Sequence, residues 1–81
     1  QLTRWMSTTL APNIRVNAIS PGGIFRNQAK EFVEKYEART PLKRMATEED
    51  FRGAVAFLTS DMSKYVTGQI LNVDGGKTLL T

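Results

Sequence analysis

The residues best suited to chemistry lie in one short run, Ser20-Pro21-Gly22-Gly23-Ile24. The run ends a stretch from Ile14 to Ser20 that is β-branched and largely apolar, which is typical of a buried parallel strand. In open α/β sheets, ligands bind at the carboxyl ends of such strands. Proline carries no N–H, and adjacent glycines let a ligand approach the backbone amides closely. The run therefore indicates a ligand-binding turn or, on spacing alone, a plain strand-to-loop turn.

Composition excludes several other kinds of chemistry. The 81 residues contain no Cys and no His, which removes thiol nucleophiles, disulfides, Cys/His zinc sites and Ser-His-Asp triads. The net charge of +3, with 41% hydrophobic and 23% charged residues, is ordinary for a globular chain. No apolar run approaches the roughly 20 residues of a membrane span. We therefore expect no metal and no membrane partner, and the lack of cysteine fits a cytoplasmic location.

Hydrophobic periodicity and turn residues divide the chain into five elements. They are the end of a helix over 1–11, a strand over 14–20, helices over 28–39 and 48–60, and a last strand over 69–74. Two strands separated by helices imply a parallel βαβ crossover. A two-stranded sheet that needs cover on both faces does not easily stand alone. The sequence thus predicts the C-terminal βαβ portion of a doubly wound, Rossmann-like α/β domain whose front part is missing.

Four blocks, in this order, resemble the short-chain dehydrogenase/reductase family. They are Ile14 to Gly22, Pro41-Leu42-Lys43-Arg44-Met45, the acidic helix start at Thr47, and Tyr65-Val66-Thr67-Gly68-Gln69 through Val73-Asp74-Gly75-Gly76. The resemblance covers nearly the whole chain. It implies an NAD- or NADP-dependent oxidoreductase that transfers a hydride between nicotinamide and a carbonyl or secondary alcohol carbon. The substrate would be a small molecule of the 3-oxoacyl or the sugar and polyol type.

The resemblance also implies which residues hold the cofactor. The backbone of Pro21, Gly22, Gly23 and Ile24 would lie against the nicotinamide end, with the main-chain groups of Ile24 meeting the carboxamide. A branched side chain at Gly22 would then weaken cofactor binding far more than folding. Arg26 stands where the family commonly has a threonine. Its guanidinium would either meet a pyrophosphate oxygen or lie on an exposed loop.

No catalytic side chain is expected within these residues. The family's acid/base pair is a tyrosine followed four residues later by a lysine, and neither Tyr36 nor Tyr65 has that lysine. Residues 25–45 correspond to the family's substrate lid. Its apolar residues would form either a pocket wall or a packing face; they are Phe32, Val33, Tyr36 and Met45. The segment alone should therefore be inactive.

Two other interpretations come from the charge pattern and from assembly. Arg39, Lys43 and Arg44 form a local basic group, as in a small nucleic-acid-binding domain. The bases are interleaved with acids and no aromatic stacking platform is evident, so nucleic acid is not the expected partner. A non-catalytic assembly module is compatible with the enzyme, since the family's final helix and strand commonly pack against a second subunit. The parent enzyme is accordingly expected to be a homo-oligomer, namely a homotetramer.

Overall fold

The two strands of the chain form one parallel pair. In a computed structural model that describes residues 1–80, β1 is Ala18–Pro21 and β2 is Ile70–Val73. The register places Ala18 beside Ile70 and Pro21 beside Val73. The strands are parallel and helices lie between them in the chain, which confirms the predicted crossover. Both strands therefore present their carboxyl ends at the same edge.

The chain also contains three α-helices, one before β1 and two between the strands. They are α1 (Leu2–Thr9), α2 (Lys30–Ala38) and α3 (Glu49–Thr59), and short 3-10 turns cover Asp61–Ser63 and Lys77–Leu80. Each helix is a little shorter than its sequence prediction. On the solvent side of α2, Lys30 and Glu34 form an i,i+4 ion pair, with 3.9 Å between Nζ and Oε1. Such an exposed pair contributes only a few tenths of a kcal/mol.

Strand β1 begins at Ala18, four residues later than predicted. The preceding backbone is bonded to the loop before β2 instead: the Val16 N–H donates to the Thr67 hydroxyl at 3.0 Å. The Val16 carbonyl accepts from the Gly68 N–H at 2.8 Å. Asn17 extends the same connection, because its side-chain oxygen accepts from the backbone N–H of Gln69 at 3.0 Å. These bonds replace strand pairing over 14–17 and align the two strands.

Arg15 ties the same segment to the end of α3. Its guanidinium donates to the carbonyls of Val66 at 2.9 Å, Leu58 at 3.1 Å and Ser60 at 3.3 Å. Carbonyls near a helix C-terminus lack intrahelical partners and carry partial negative charge. A guanidinium with a fixed fork of donors satisfies several of them at once. The apolar-looking strand 14–20 thus contains a polar anchor that fixes α3 relative to β1.

The start of α3 is held by a side chain of its first turn. Glu48, the residue before the helix, makes no capping hydrogen bond with its own side chain. The Thr47 backbone N–H donates to Asp50 Oδ2 at 2.8 Å, which is the returning half of a capping box. The Thr47 hydroxyl lies 3.3 Å from the same oxygen. Asp50 is therefore the residue that secures the helix start.

Little apolar surface is enclosed within the described residues. Met45, with 6% of its surface exposed, is the one buried hydrophobic residue among them. On α3, the apolar residues Phe51, Ala54 and Leu58, which are spaced at helical intervals, are only half-buried, and Val55 beside them is 49% exposed. Trp5 on α1 is 63% exposed. The described chain is also elongated, with extents of 47 × 23 × 18 Å.

Candidate cofactor site at the turn after β1

The predicted ligand-binding run forms a turn at the carboxyl end of β1, and we call Pro21–Ile24 the glycine turn. The Gly22 N–H donates to the Val73 carbonyl at 2.9 Å, so strand pairing continues one residue beyond β1. A Cβ built on Gly22 would lie 2.8 Å from Asp74 Cα and 3.0 Å from Asp74 Cβ. Glycine is therefore required here because two backbones approach each other. This geometry argues against the expectation that a branched residue at Gly22 weakens cofactor binding far more than folding, because the added atoms would also disturb the packing of the two backbones.

Gly23 makes a second close approach, to Tyr36 of α2. A Cβ on Gly23 would lie 2.7 Å from ring atoms Cε2 and Cζ of Tyr36. The Gly23 N–H donates to the Tyr36 hydroxyl oxygen. The amides of both glycines are thus engaged within the protein, whereas the sequence interpretation left them free for a ligand. Tyr36 itself was predicted only as part of an apolar stripe.

Ile24 is the residue of the glycine turn whose backbone groups face outward. It pairs with Ala46 in an isolated parallel bridge. The hydrogen bonds of this bridge are made by Gly23 and Phe25, the residues on either side of Ile24. The Gly23 carbonyl accepts from the Ala46 N–H at 2.9 Å, and the Phe25 N–H donates to the Ala46 carbonyl at 2.8 Å. Because alternate residues of an extended strand direct their amides to opposite edges, the N–H and carbonyl of Ile24 point away from Ala46. Among the described residues, the Ile24 N–H has no hydrogen-bond acceptor.

Gln28 braces the exit of the glycine turn, a role not anticipated from the sequence. Its Oε1 accepts from the Arg26 N–H at 2.7 Å, and its Nε2 donates to the Ile24 carbonyl at 3.0 Å. A carbonyl oxygen has two lone pairs, so Ile24 retains acceptor capacity. The sequence did offer one indication of this role, because Gln28 has a long amide side chain and follows the glycine turn closely. Such a residue closes a loop as readily as it begins a helix.

The Arg26 guanidinium is occupied by protein groups. It lies 2.7 Å from Glu48 Oε1 and donates to the Phe25 carbonyl at 3.0 Å. Both partners of the ion pair are exposed, and exposed pairs of this kind contribute little to stability. The structure thus places Arg26 on an exposed loop, the second of the two expectations.

A bidentate ion pair lies beside a small cavity next to the glycine turn. Nη1 and Nη2 of Arg44 each lie 2.7 Å from an oxygen of Asp50. Both residues line the cavity of about 110 Å³, together with Gly22, Tyr36 and Asp74. The Arg44 hydrogen bonds, followed by the Thr47 N–H, hold the pKa of Asp50 well below its ordinary value of 3.8. Because Asp50 neutralises its charge, Arg44 no longer adds to the basic group of Arg39, Lys43 and Arg44 that suggested nucleic-acid binding.

The ion pair gives the stability of the protein a predictable response to acid. Because the pKa of Asp50 is lower in the folded state, its contribution is complete above the unfolded value of about 3.9 and disappears as the pH falls through the folded value. We expect Asp50→Asn to lower the Tm of the full-length protein near neutral pH, and the Tm difference from wild type to shrink below about pH 4. Thermal unfolding across this range is the measurement. Asp61→Asn, at an exposed residue, is the charge-matched control; a difference for Asp50→Asn that does not depend on pH would contradict the assignment.

No group of three or more His, Cys, Asp or Glu side chains that could hold a metal ion occurs between residues 1 and 80. Within the same residues, no helix is long and apolar enough to cross a membrane.

Comparison with known proteins decides the family. Residues 1–78 match the family model described as enoyl-(acyl carrier protein) reductase. A short-chain dehydrogenase from Leptospira borgpetersenii, whose crystal structure contains NAD+, superposes with a TM-score of 0.92 at 52% identity, covering 95% of this chain and 31% of that one. The chain belongs to the short-chain dehydrogenase/reductase family. Its Rossmann-like α/β fold follows from the same similarity.

Two other relatives show the range within this family. The chain is 49% identical over 76 residues to post-translational flagellin modification protein A of Campylobacter coli, covering 93% of this chain and 30% of that protein. A protein assigned as an NAD(P)-dependent gluconate 5-dehydrogenase from Beutenbergia cavernae, with NADP bound at low occupancy, superposes with a TM-score of 0.89 at 38% identity. That match covers 96% of this chain and 34% of the other. The chain thus spans about a third of the length of these relatives.

Proposed function

We propose that this short-chain dehydrogenase/reductase segment forms the nicotinamide-side wall of an NAD(P)-dependent oxidoreductase. The parent enzyme transfers a hydride between the cofactor and a carbonyl or secondary alcohol carbon of a small molecule. The observation that carries the proposal is the outward-facing N–H and carbonyl of Ile24 at the carboxyl end of a parallel strand. Ligands of open α/β sheets bind at that edge.

The residues present fit the amide end of a nicotinamide cofactor. A carboxamide needs one hydrogen-bond donor and one acceptor, and Ile24 offers an N–H without a partner among the described residues and a carbonyl with one lone pair in use. The neighbouring Gly22 and Gly23 carry no side chains that could block the approach. When bound, the cofactor supplies or accepts the hydride. Pro21, Gly22, Gly23 and Ile24 together would form the wall, with Ile24 as the hydrogen-bonding member.

Fixing the two peptides that flank Ile24 serves a chemical purpose. Ala46 bonds to the residue before and the residue after Ile24, and Gln28 holds the Ile24 carbonyl from outside. The donor and acceptor are thus directed before a ligand arrives, which lowers the entropy cost of orienting one. The acid/base tyrosine and its lysine belong to other parts of the parent enzyme in this proposal. The segment contributes orientation and contributes no catalytic side chain.

A substitution at Ile24 tests the proposal in the full-length protein. Ile24→Pro removes the N–H, which no described residue uses, and should raise the Kd for NAD(H) or NADP(H) about tenfold or more. Ile24→Val retains the N–H and a branched side chain, so its affinity should match wild type. Calorimetric titration with both cofactors supplies the measurement. Unchanged affinity in a folded Ile24→Pro protein, or no affinity of the wild type for either cofactor, would overturn the proposal.

The finer features of the parent enzyme belong to the same proposal. Residues 25–45 would cover the substrate, of the 3-oxoacyl or the sugar and polyol type, and the segment would lie at the C-terminal end of its domain. The family resemblance supports both points. The exposed apolar side chains of α3 support an interface with a second subunit in a cytoplasmic homotetramer. Equilibrium sedimentation of the full-length protein would test that assembly.

A further inference from the structure

The hydroxyl of Tyr36 is held on a backbone amide of the glycine turn. It accepts the Gly23 N–H, and the ring lies directly against the Gly23 Cα, where a Cβ would overlap it. A half-buried amide without a partner costs free energy, so the hydroxyl satisfies a donor that water reaches poorly. Phenylalanine would pack equally well here and leave that amide unsatisfied. Packing of the ring therefore does not account for the Tyr36 hydroxyl, whose contact is the hydrogen bond from Gly23.

Other contacts fix the position from which Tyr36 reaches this amide. Lys77 Nζ lies 4.6 Å from the centre of its ring, within the range of a cation–π contact. The Tyr36 carbonyl accepts from the Thr40 hydroxyl at 2.8 Å. Thr40 is 1% exposed and lies against Gly75, just after β2. The C-terminal end of α2 is therefore anchored to the segment that follows β2, and its tyrosine reaches across to the turn after β1.

We propose that Tyr36 is a positioning residue that couples helix α2 to cofactor affinity through the Gly23 amide. The inference rests on the proposed function of the glycine turn. The hydroxyl fixes the Gly22–Gly23 peptide, and Ala46 fixes the next peptide, whose N–H belongs to Ile24. With both held, the direction of the Ile24 N–H is set. A displacement of α2 would release the first peptide and misalign that donor.

The test is Tyr36→Phe in the full-length protein, which removes one oxygen and keeps the ring. Tyr65→Phe is the matched control, since Tyr65 is fully exposed and its hydroxyl makes no hydrogen bond in the described residues. We expect Tyr36→Phe to raise the Kd and the KM for the nicotinamide cofactor about fivefold to tenfold, with a smaller change in kcat. Amide exchange at Gly23 should accelerate, whereas exchange at Gly22, which is bonded to Val73, should not. Tyr65→Phe should change none of these quantities.

Each outcome of this experiment decides the inference. Faster exchange at Gly23 with unchanged cofactor affinity would overturn it, while leaving the proposed function to the Ile24 variants. A wild-type protein without cofactor affinity would overturn both. If Tyr36→Phe does not fold, amide exchange in the wild-type protein is measured instead, with and without cofactor. Because coupling between α2 and cofactor binding is reciprocal, the bound cofactor should slow exchange of the Lys30–Ala38 amides. No slowing there would also overturn the inference.

Discussion

Gly22→Val is expected to prevent the full-length protein from accumulating in a folded state. The new Cβ would lie 2.8 Å from the Cα of Asp74, an atom of the neighbouring backbone that no side-chain rotation can move. Asp74 is held in turn, because its carboxylate accepts from the Gly76 N–H at 2.9 Å and from the Thr78 hydroxyl. Valine adds two methyl groups beyond Cβ, so the free energy of unfolding should fall by about 3 kcal/mol or more. Soluble yield and the Tm of purified protein measure the effect.

Gly53→Val provides the same chemical change at a permissive position. Gly53 lies within α3, and a Cβ there meets no atom within 4 Å. Because valine has a higher helix propensity than glycine and meets no atom of the described residues, this variant should stay much closer to wild-type stability than Gly22→Val. A Gly22→Val protein with a wild-type Tm would show that the Asp74 backbone yields. Its cofactor affinity would then be the quantity to measure.

The parallel sheet and its turn could be predicted because their signals are local. A β-branched run ending in Pro-Gly-Gly indicates a strand that terminates abruptly, and helices between two such runs require a parallel crossover. Hydrophobic periodicity located α3 to within a residue at each end, Glu49–Thr59 against 48–60. These features depend on neighbours in the chain. The contacts that direct the Ile24 N–H do not.

The contacts that were missed join residues far apart in sequence. Arg15 donates to carbonyls more than forty residues away, and Tyr36 meets a glycine thirteen residues earlier. Periodicity reports which side of a helix is apolar, but it does not report what faces the one polar atom on that side. The sequence analysis therefore assigned Tyr36 to an apolar stripe, although its hydroxyl accepts a hydrogen bond from the Gly23 N–H. The available signal was the pairing of two adjacent glycines with a tyrosine on the helix that follows them, since glycines leave room for a ring to approach the backbone.

The 81-residue chain alone is expected to show neither a cooperative thermal transition nor any cofactor-dependent turnover. Its radius of gyration of 15.3 Å exceeds the value of about 12 Å for a compact chain of this length. Among residues 1–79, one hydrophobic side chain is buried, while Trp5, Val55 and Phe57 remain at least 40% exposed. Burial of apolar surface is the main favourable contribution to folding, so this amount cannot offset the conformational entropy of ordering the backbone.

The remaining two thirds of a family domain would cover these side chains and both faces of the β1–β2 pair. We therefore expect the isolated chain to sediment as a partly unfolded or self-associated species, with broad unfolding by circular dichroism. Added NADH should leave the circular dichroism signal of the isolated chain unchanged. The Ile24 N–H is oriented for binding only when the contacts with Ala46 and Tyr36 are formed. The full-length protein, measured in parallel, should melt cooperatively. A 9.1 kDa monomer with a sharp melting transition would instead show that β1, β2 and α3 form an autonomous domain.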